Sequence, residues 1–471
     1  LAWRGLLSAF VLGGATAAAG QGTQANPAGG ELDRQFQAAV ALYDAGKFAE
    51  AAAMLEKLEP RVPNDFQVQE LMGLVYGSEA ESDKAVEHLQ RAVHLQPNSA
   101  AARTNLAASL AHAGKSDAAI EQLRVAIRLE PKDYDANHNL GELYIQTGKV
   151  AEATSLLEAA ERANPKSYGN GYDLALALFE TGQLKKARQV IADLLTMRDT
   201  GELHELLGRV EEKEGNFLAA EHEFESAAKL DPSEDNLFSW GGELLLHRAY
   251  DAAIEVFERA SERYAKSPRS WIGLGMALDL EGRHDDAFKA LITAADLDPA
   301  DARTYLFLSK AYANSANHAE EVIERFRRYA ALKPEDAMAQ YYYAMSMWKG
   351  KPLEDAGVDF HTVEALLLKA VALDGKLVDA HVQLGNLYAD QHEYAKSISE
   401  YQRALALDAN LPDVHYRLGQ GYGHVGEKQK AAAEIEIYQK QRAEHLAEAD
   451  KEKAEVQQFV VTTKDRPSAK Q

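Results

Sequence analysis

The chain has 471 residues, with 51 basic and 73 acidic side chains, a formal net charge of −22 and no cysteine. That charge, with no basic run to override it locally, argues against nucleic acid and anionic membrane surfaces as main partners. The missing thiol excludes disulfides, thiolate metal sites, covalent haem attachment, a cysteine nucleophile and a lipidated cysteine, and it suits an oxidising compartment.

The first element in chain order reads as a secretory signal over residues 1–20. Arg4 supplies a short positive region, Gly5 to Gly14 (GLLSAFVLGG) an apolar core too short to span a bilayer, and Ala15 to Ala19 small-x-small cleavage sites after Ala17 or Ala19. The alternative for this segment is a buried apolar N-terminal helix. Leu1 stands where a Met is expected, which reads as a literally translated unusual start codon or a missing N-terminus. Nothing after residue 20 is long and apolar enough for a transmembrane helix. The expected mature chain is soluble and periplasmic or secreted, most simply bacterial. Residues 21–31 (QGTQANPAGGE) read as a flexible linker.

A rhythm of 34 residues follows. MGLVYGSEAESDKAVEHLQRAVHLQPN (72–98), LAASLAHAGKSDAAIEQLRVAIRLEPK (106–132) and LGELYIQTGKVAEATSLLEAAERANPK (140–166) are in register, and Pro63, Pro97, Pro131 and Pro165 mark the same point each time. Small residues recur in the first half of each unit: Ala39, Gly73, Ala107, Gly141, Ala175, Gly208, Gly241, Gly275, Ser309, Ala344, Gly385 and Gly419. Each half carries apolar residues at i, i+3, i+4 and i+7, the pattern of an amphipathic helix. Small residues let two antiparallel helices approach closely, glycines such as Gly114 and Gly148 end the first helix, and proline ends the second. One hairpin cannot bury both of its faces, so the units must stack.

These features resemble the tetratricopeptide-repeat family over residues 32–439. Twelve units are expected, beginning near residues 32, 66, 100, 134, 168, 201, 234, 268, 302, 337, 378 and 412. Units one to five occupy 32–200 and units six to twelve 201–439. The tenth carries extra residues, an insertion at 349–362. From Ala431 a helical pattern with dense mixed charge continues, giving a capping helix over 440–460 before a disordered tail at 461–471. The resemblance implies an all-α fold, a right-handed superhelical solenoid whose first helices line a concave groove.

Several textual motifs carry no chemistry. Gly421-Tyr-Gly423-His-Val-Gly426 matches a dinucleotide fingerprint, but a helix precedes it where a strand is required. Gly114-Lys115-Ser116 lacks the glycine a phosphate-binding loop needs five residues earlier, and Gly-Lys is simply the turn of this repeat. His381 and His415 occupy equivalent positions in successive units, which places them near one another, but a metal needs more ligands. Acidic pairs such as Glu211-Glu212 read as solvated faces. With no segment left for a catalytic domain, no catalytic residue, cofactor or metal is expected, and the chain is not expected to be an enzyme.

The resemblance also places ligand-facing positions on the first helix of each unit. By register, the acidic part of the groove includes Glu70, Asp135, Glu142, Glu180, Glu202 and Glu205, against Arg209 and Lys213. The later units are more balanced in charge and more apolar: Phe238, Leu245, Leu246, Ile272, Met276, Leu280 and Leu306. They lead to Y-Y-Y-A-M-S-M-W at 341–348, where Tyr341, Met345 and Trp348 share one helical face turned to the groove and Tyr343 and Met347 fall on the packing face. Tyr341, Met345 and Trp348 either anchor a ligand or are covered by the chain itself, with the 349–362 insertion well placed to do so. The family's clamp for a terminal carboxylate is not reproduced, because His138 and Glu142 sit where Lys and Asn are wanted, although Asn105 and Asn139 supply two rungs of an asparagine ladder.

The expected function is an exported scaffold that binds protein or peptide segments in this groove, basic segments along units one to six and apolar ones along units seven to ten. One alternative is a self-assembling oligomer or filament subunit. Another is a non-catalytic accessory subunit of an envelope assembly or polysaccharide export complex.

Overall fold

The computed structural model describes the backbone of residues 27–314, 319–348 and 359–464, with side chains over 30–312, 319–348 and 359–446. The signal segment and the last residues of the tail lie outside this range. The described residues contain α-helices and no strand. They fall into two compact halves, Leu1–Glu214 and Gly215–Gln471. The division falls between the helices Gly201–Lys213 and Phe217–Leu230.

The N-terminal half holds α1 (Pro27–Asp44), α2 (Phe48–Leu58), α3 (Phe66–Ser78), α4 (Ser82–Leu95), α5 (Ala100–His112), α6 (Ser116–Leu129), α7 (Tyr134–Gln146), α8 (Val150–Ala163), α9 (Tyr168–Glu180), α10 (Leu184–Met197) and α11 (Gly201–Lys213). The C-terminal half holds α12 (Phe217–Leu230), α13 (Glu234–Leu246), α14 (Tyr250–Arg263), α15 (Pro268–Leu280), α16 (His284–Leu297), α17 (Ala302–Asn314), α18 (Ala319–Leu332), α19 (Ala337–Trp348), α20 (Phe360–Leu373), α21 (Val378–Asp390), α22 (Tyr394–Leu407), α23 (Pro412–His424) and α24 (Lys428–Lys464). From α3 onward the odd-numbered helices start where the repeat spacing places them. Two boundaries differ from expectation. α1 already begins at Pro27, inside the supposed linker, because Pro at a helix start costs no hydrogen bond. The cap is not a separate helix: α24 runs unbroken from the last hairpin to Lys464, into the supposed tail.

Local chemistry fixes each helix start. After the proline of each early unit comes an Asp or Ser whose side-chain oxygen accepts from the third backbone amide of the next helix. Asp65 accepts from Val68 (3.1 Å), Ser99 from Ala102 (3.2 Å), Asp133 from Ala136 (2.7 Å), Ser167 from Asn170 (3.3 Å) and Ser233 from Asn236 (3.4 Å). Each such cap contributes about 1 kcal/mol. The turn inside the hairpin needs one residue in the left-handed region. Gly114, Gly148 and Gly282 supply it, but Ala80, Arg248 and His392 hold it at φ 61°, 59° and 63° without the freedom of glycine.

The helices of a hairpin close on one repeated contact. The small residue of the first helix faces a large apolar residue sixteen positions on. A Cβ on Gly141 would stand 2.7 Å from Leu157 Cδ2, on Gly275 2.5 Å from Leu291 Cγ, and on Gly241 2.6 Å from Phe257 Cζ. Phe257 is 1% exposed and also fills the space in front of Gly273 of the next hairpin. Successive odd-numbered helices approach each other directly, as α3, α5, α7 and α9 do in the N-terminal half and α13, α15, α17 and α19 in the other. Of the even-numbered helices only α16 and α18 do so to a comparable degree. The more closely spaced row lies on the inside of a curved stack, so the odd-numbered helices form the inner face of each half. In the C-terminal half α24 also comes alongside α12, so that the half's last and first helices touch.

Gly273→Ala should destabilise the fold by about 1–3 kcal/mol, because its methyl would overlap the Phe257 ring. Gly242→Ala, whose Cβ meets nothing within 4 Å, should be neutral or stabilising by about 0.5–1 kcal/mol. Urea unfolding of the two variants measures the contrast.

Candidate functional site

The inner face of the N-terminal half carries carboxyl groups on three of its helices: Glu70 on α3, Asp135 and Glu142 on α7, and Asp173 on α9. Glu142 is buried, and Glu70, Asp135 and Asp173 are half-buried. Glu142 is 4% exposed. Its Oε1 accepts from Gln146 Nε2 at 3.3 Å, while its Oε2 is buried and has no hydrogen-bond partner. Glu70 accepts from Asn105, yet its Oε1 is likewise buried and unsatisfied.

Burial without a cation raises the affinity of these groups for protons. Burial pushes Glu70 up to about 7, against the opposing hydrogen bond from Asn105. Burial, then the charge of Asp133, pushes Asp135 to about 6. Burial, then the charge of Glu142, pushes Asp173 to about 7. Glu142 itself is raised by burial, with Gln146 and His112 opposing.

The remaining residues expected here differ. Glu180 and Glu205 are met by Arg209, at 3.7 and 3.9 Å, and that guanidinium also lies 4.5 Å over the Phe179 ring. Glu202 is exposed and accepts from the Tyr168 hydroxyl at 2.8 Å. Asp173 was missed, although the signal was present: it stands 34 residues after Asn139 and 68 after Asn105, at the same repeat position. Glu211 does not belong to a solvated face. It is 8% exposed and takes a two-pronged grip from Arg188, at 2.6 and 2.8 Å, which satisfies its charge inside the stack.

In the C-terminal half, Ile272 is buried at 4% exposure and offers no surface to a ligand. Phe238, Leu245 and Met276 are half-buried and Leu306 is exposed. The Phe238 ring is covered by the Arg269 guanidinium at 4.2 Å and meets Phe257 edge-on at 5.5 Å. Leu246 and Leu280, 34 residues apart on neighbouring inner helices, are the most open of these apolar positions, at 59% and 50% exposure.

The aromatic stretch divides differently from the helical-wheel expectation. Tyr343 packs part-buried against the cluster of Phe326 and Tyr329, as expected, but Tyr342 is the tyrosine sealed in the core, 5.9 Å from the Phe326 ring. Tyr341 packs against both the cluster of Phe326 and Tyr329 and that of Leu384 and Tyr388, so it bridges the two. Its hydroxyl is raised by burial and by Asp379, with Gln383 opposing as a hydrogen-bond partner. Trp348 and Met347 are partly buried against the cluster that contains Val363, Leu367 and Leu384. Met345 is half-buried. Of the 349–362 insertion, residues 349–358 lie outside the described range, while 359–362 start α20, with Asp359 accepting from the amides of His361 and Thr362 at 3.1 and 3.2 Å.

His381 and His415 each serve their own unit. His381 Nδ1 meets Glu400 at 2.7 Å and His415 Nδ1 meets Glu434 at 2.5 Å, while their Nε2 atoms face the carbonyls of Gly375 and Ala409. No group of three or more His, Asp or Glu among the described residues is arranged to hold a metal. Among those residues no helix is long and apolar enough to cross a membrane.

Stacked antiparallel hairpins on a 34-residue period define a helical-repeat solenoid. Three family models described as tetratricopeptide repeat match residues 110–170 and 148–210, 70–133 and 238–302, and 35–57; a fourth, described as TPR repeat, matches 385–426. Together they span more than half of the chain, which belongs to the tetratricopeptide-repeat family. No curated protein matches it. Solved structures similar to it include Naa15/Naa10 bound to HypK-THB (17% identity, 86% of this chain and 68% of that one, TM-score 0.38). Others are the APC/C hetero-tetramer Cut9-Hcn1 (15%, 87% and 94%, TM-score 0.38) and pilF of Pseudomonas aeruginosa (20%, 44% and 95%, TM-score 0.39). All are distant likenesses.

The raised acids have a consequence for stability. Each holds its proton more tightly in the folded chain than in the unfolded one. Their contribution is therefore fully present below about pH 4, falls as pH rises, and is lost above about pH 7. One unit of displacement corresponds to about 1.4 kcal/mol. Asp173→Asn should flatten the fall between pH 4 and 7 and stabilise the protein at pH 8 by on the order of 1–3 kcal/mol. Thermal unfolding across that pH range tests this, and an unchanged pH profile would contradict it.

Proposed function

We propose that this chain is a non-catalytic scaffold that binds protein or peptide segments along the inner faces of its repeat stack, and that its mature form is exported. The count of twelve repeat units belongs to the same reading. The observation that carries the binding role is the pair Leu246 and Leu280. Two large apolar side chains stand open to solvent on adjacent rigid helices at one repeat position, where exposure is costly and a partner's apolar surface would relieve it. Repeat scaffolds of this family bind other proteins, and the fixed helix spacing presents a row of side chains to an extended segment. Export is supported by Arg4, the apolar run from Gly5 to Gly14 and the small residues that follow.

A photocrosslinking residue placed at Leu246 or Leu280 in cells should give discrete adducts. The same residue at Leu297, exposed at the end of the second-row helix α16, should not. Equal labelling at all three positions, or none, would sink the proposal, and an adduct of twice the chain's mass would point to self-assembly. For export, the chain recovered from outside the cytoplasm should begin after Ala17 or Ala19 on N-terminal sequencing. A full-length cytoplasmic chain contradicts it.

A further inference from the structure

The buried carboxyls of the N-terminal half point to a more specific ligand. Among the described residues Glu70, Asp135, Glu142 and Asp173 form no ion pair, whereas Glu180 and Glu205 on the same face are met by Arg209. The Glu142 side chain is 4% exposed and leaves Oε2 unsatisfied. Asp173 stands on the next inner helix, and the charge of Glu142 adds to the rise in its proton affinity. A buried acceptor that lacks a donor destabilises the fold, and two such acceptors, Glu142 Oε2 and Glu70 Oε1, lie on one row of helices. Asn105 and Asn139, one repeat apart, lie on that row at the position Asp173 continues.

We propose that the inner face of α3, α5, α7 and α9 holds an extended peptide bearing basic side chains, with one cationic head seated between Glu142 and Asp173 and a second at Glu70. This deepens the scaffold reading and rests on it. The ammonium or guanidinium brings the N–H donors that the two orphaned oxygens lack, together with the positive charge that buried carboxylates require. A neutral or acidic segment supplies neither. The spacing of the two subsites across three inner helices selects a chain with basic residues well separated along its length.

The probe is a fluorescein-labelled, amidated peptide of six Gly-Lys repeats, titrated against the full chain at physiological salt and read by anisotropy. Wild type should bind it. Glu142→Gln combined with Asp173→Asn should weaken binding at least tenfold, while Glu152→Gln, exposed on the second-row helix α8, should change it less than twofold. Glu142→Gln alone preserves shape and should still weaken binding severalfold, so the test survives if the double variant fails to fold. No binding by wild type overturns the proposal, as does equal weakening by Glu152→Gln, which would mean diffuse attraction to the net charge. Displacement of the peptide by spermidine at equal charge concentration would assign the face to small polycations, against the proposal. Crosslinks from Leu246 and Leu280 report on the other half. If they persist while the peptide fails to bind, only this inference falls.

Discussion

The contact on which this molecule depends is the one between a residue with almost no side chain and a branched or aromatic one sixteen positions later. Gly141 against Leu157, Gly275 against Leu291 and Gly385 against Tyr401 bring the two helices of a hairpin so close that even a methyl group would collide. That approach lets each large side chain make its dispersion contacts on all sides. It also keeps the hairpin thin enough for the next one to stack on it. Phe257 shows both uses at once: it fills the space left by Gly241 in its own hairpin and by Gly273 in the next.

Once the hairpins are locked, the inner helices have little freedom, and what they present is held in place. In the N-terminal half this rigidity carries a cost. Carboxyl groups sit buried or half-buried without an ion pair, so ionising them works against the fold. Arg188 shows the other solution available to the same chain, with Glu211 buried but fully gripped. Acceptors left unsatisfied where the chain elsewhere satisfies them are held at some expense in stability.

The fold was legible in the sequence to an unusual degree, because the repeat averages over local accidents. Helix starts from Phe66 to Pro412 follow from proline, glycine and small-residue spacing alone. The site was legible only in part. Glu70, Asp135 and Glu142 could be placed on the inner face by register, but Glu180 and Glu205, placed there by the same rule, turned out to be neutralised by Arg209. Asp173 sits in line with Asn105 and Asn139 and escaped notice because its neighbours in register are uncharged. In the aromatic stretch, helical phase put Tyr341 and Trp348 on one face, either open to a ligand or covered by the chain itself, and both are half-buried against core clusters.

The sequence by itself determined what is periodic: the helical hairpins, their order, the close approach at the small residues, and which positions belong to the inner row. These depend on contacts between residues a fixed distance apart along the chain, and a repeat prints that distance many times. Only the tertiary structure decided what each inner residue experiences. Whether a carboxyl is gripped, exposed or stranded depends on side chains from neighbouring hairpins, and so does whether an aromatic ring is open or covered. Those neighbours differ from unit to unit, and their effect is carried by burial and charge in three dimensions, not by spacing along the chain.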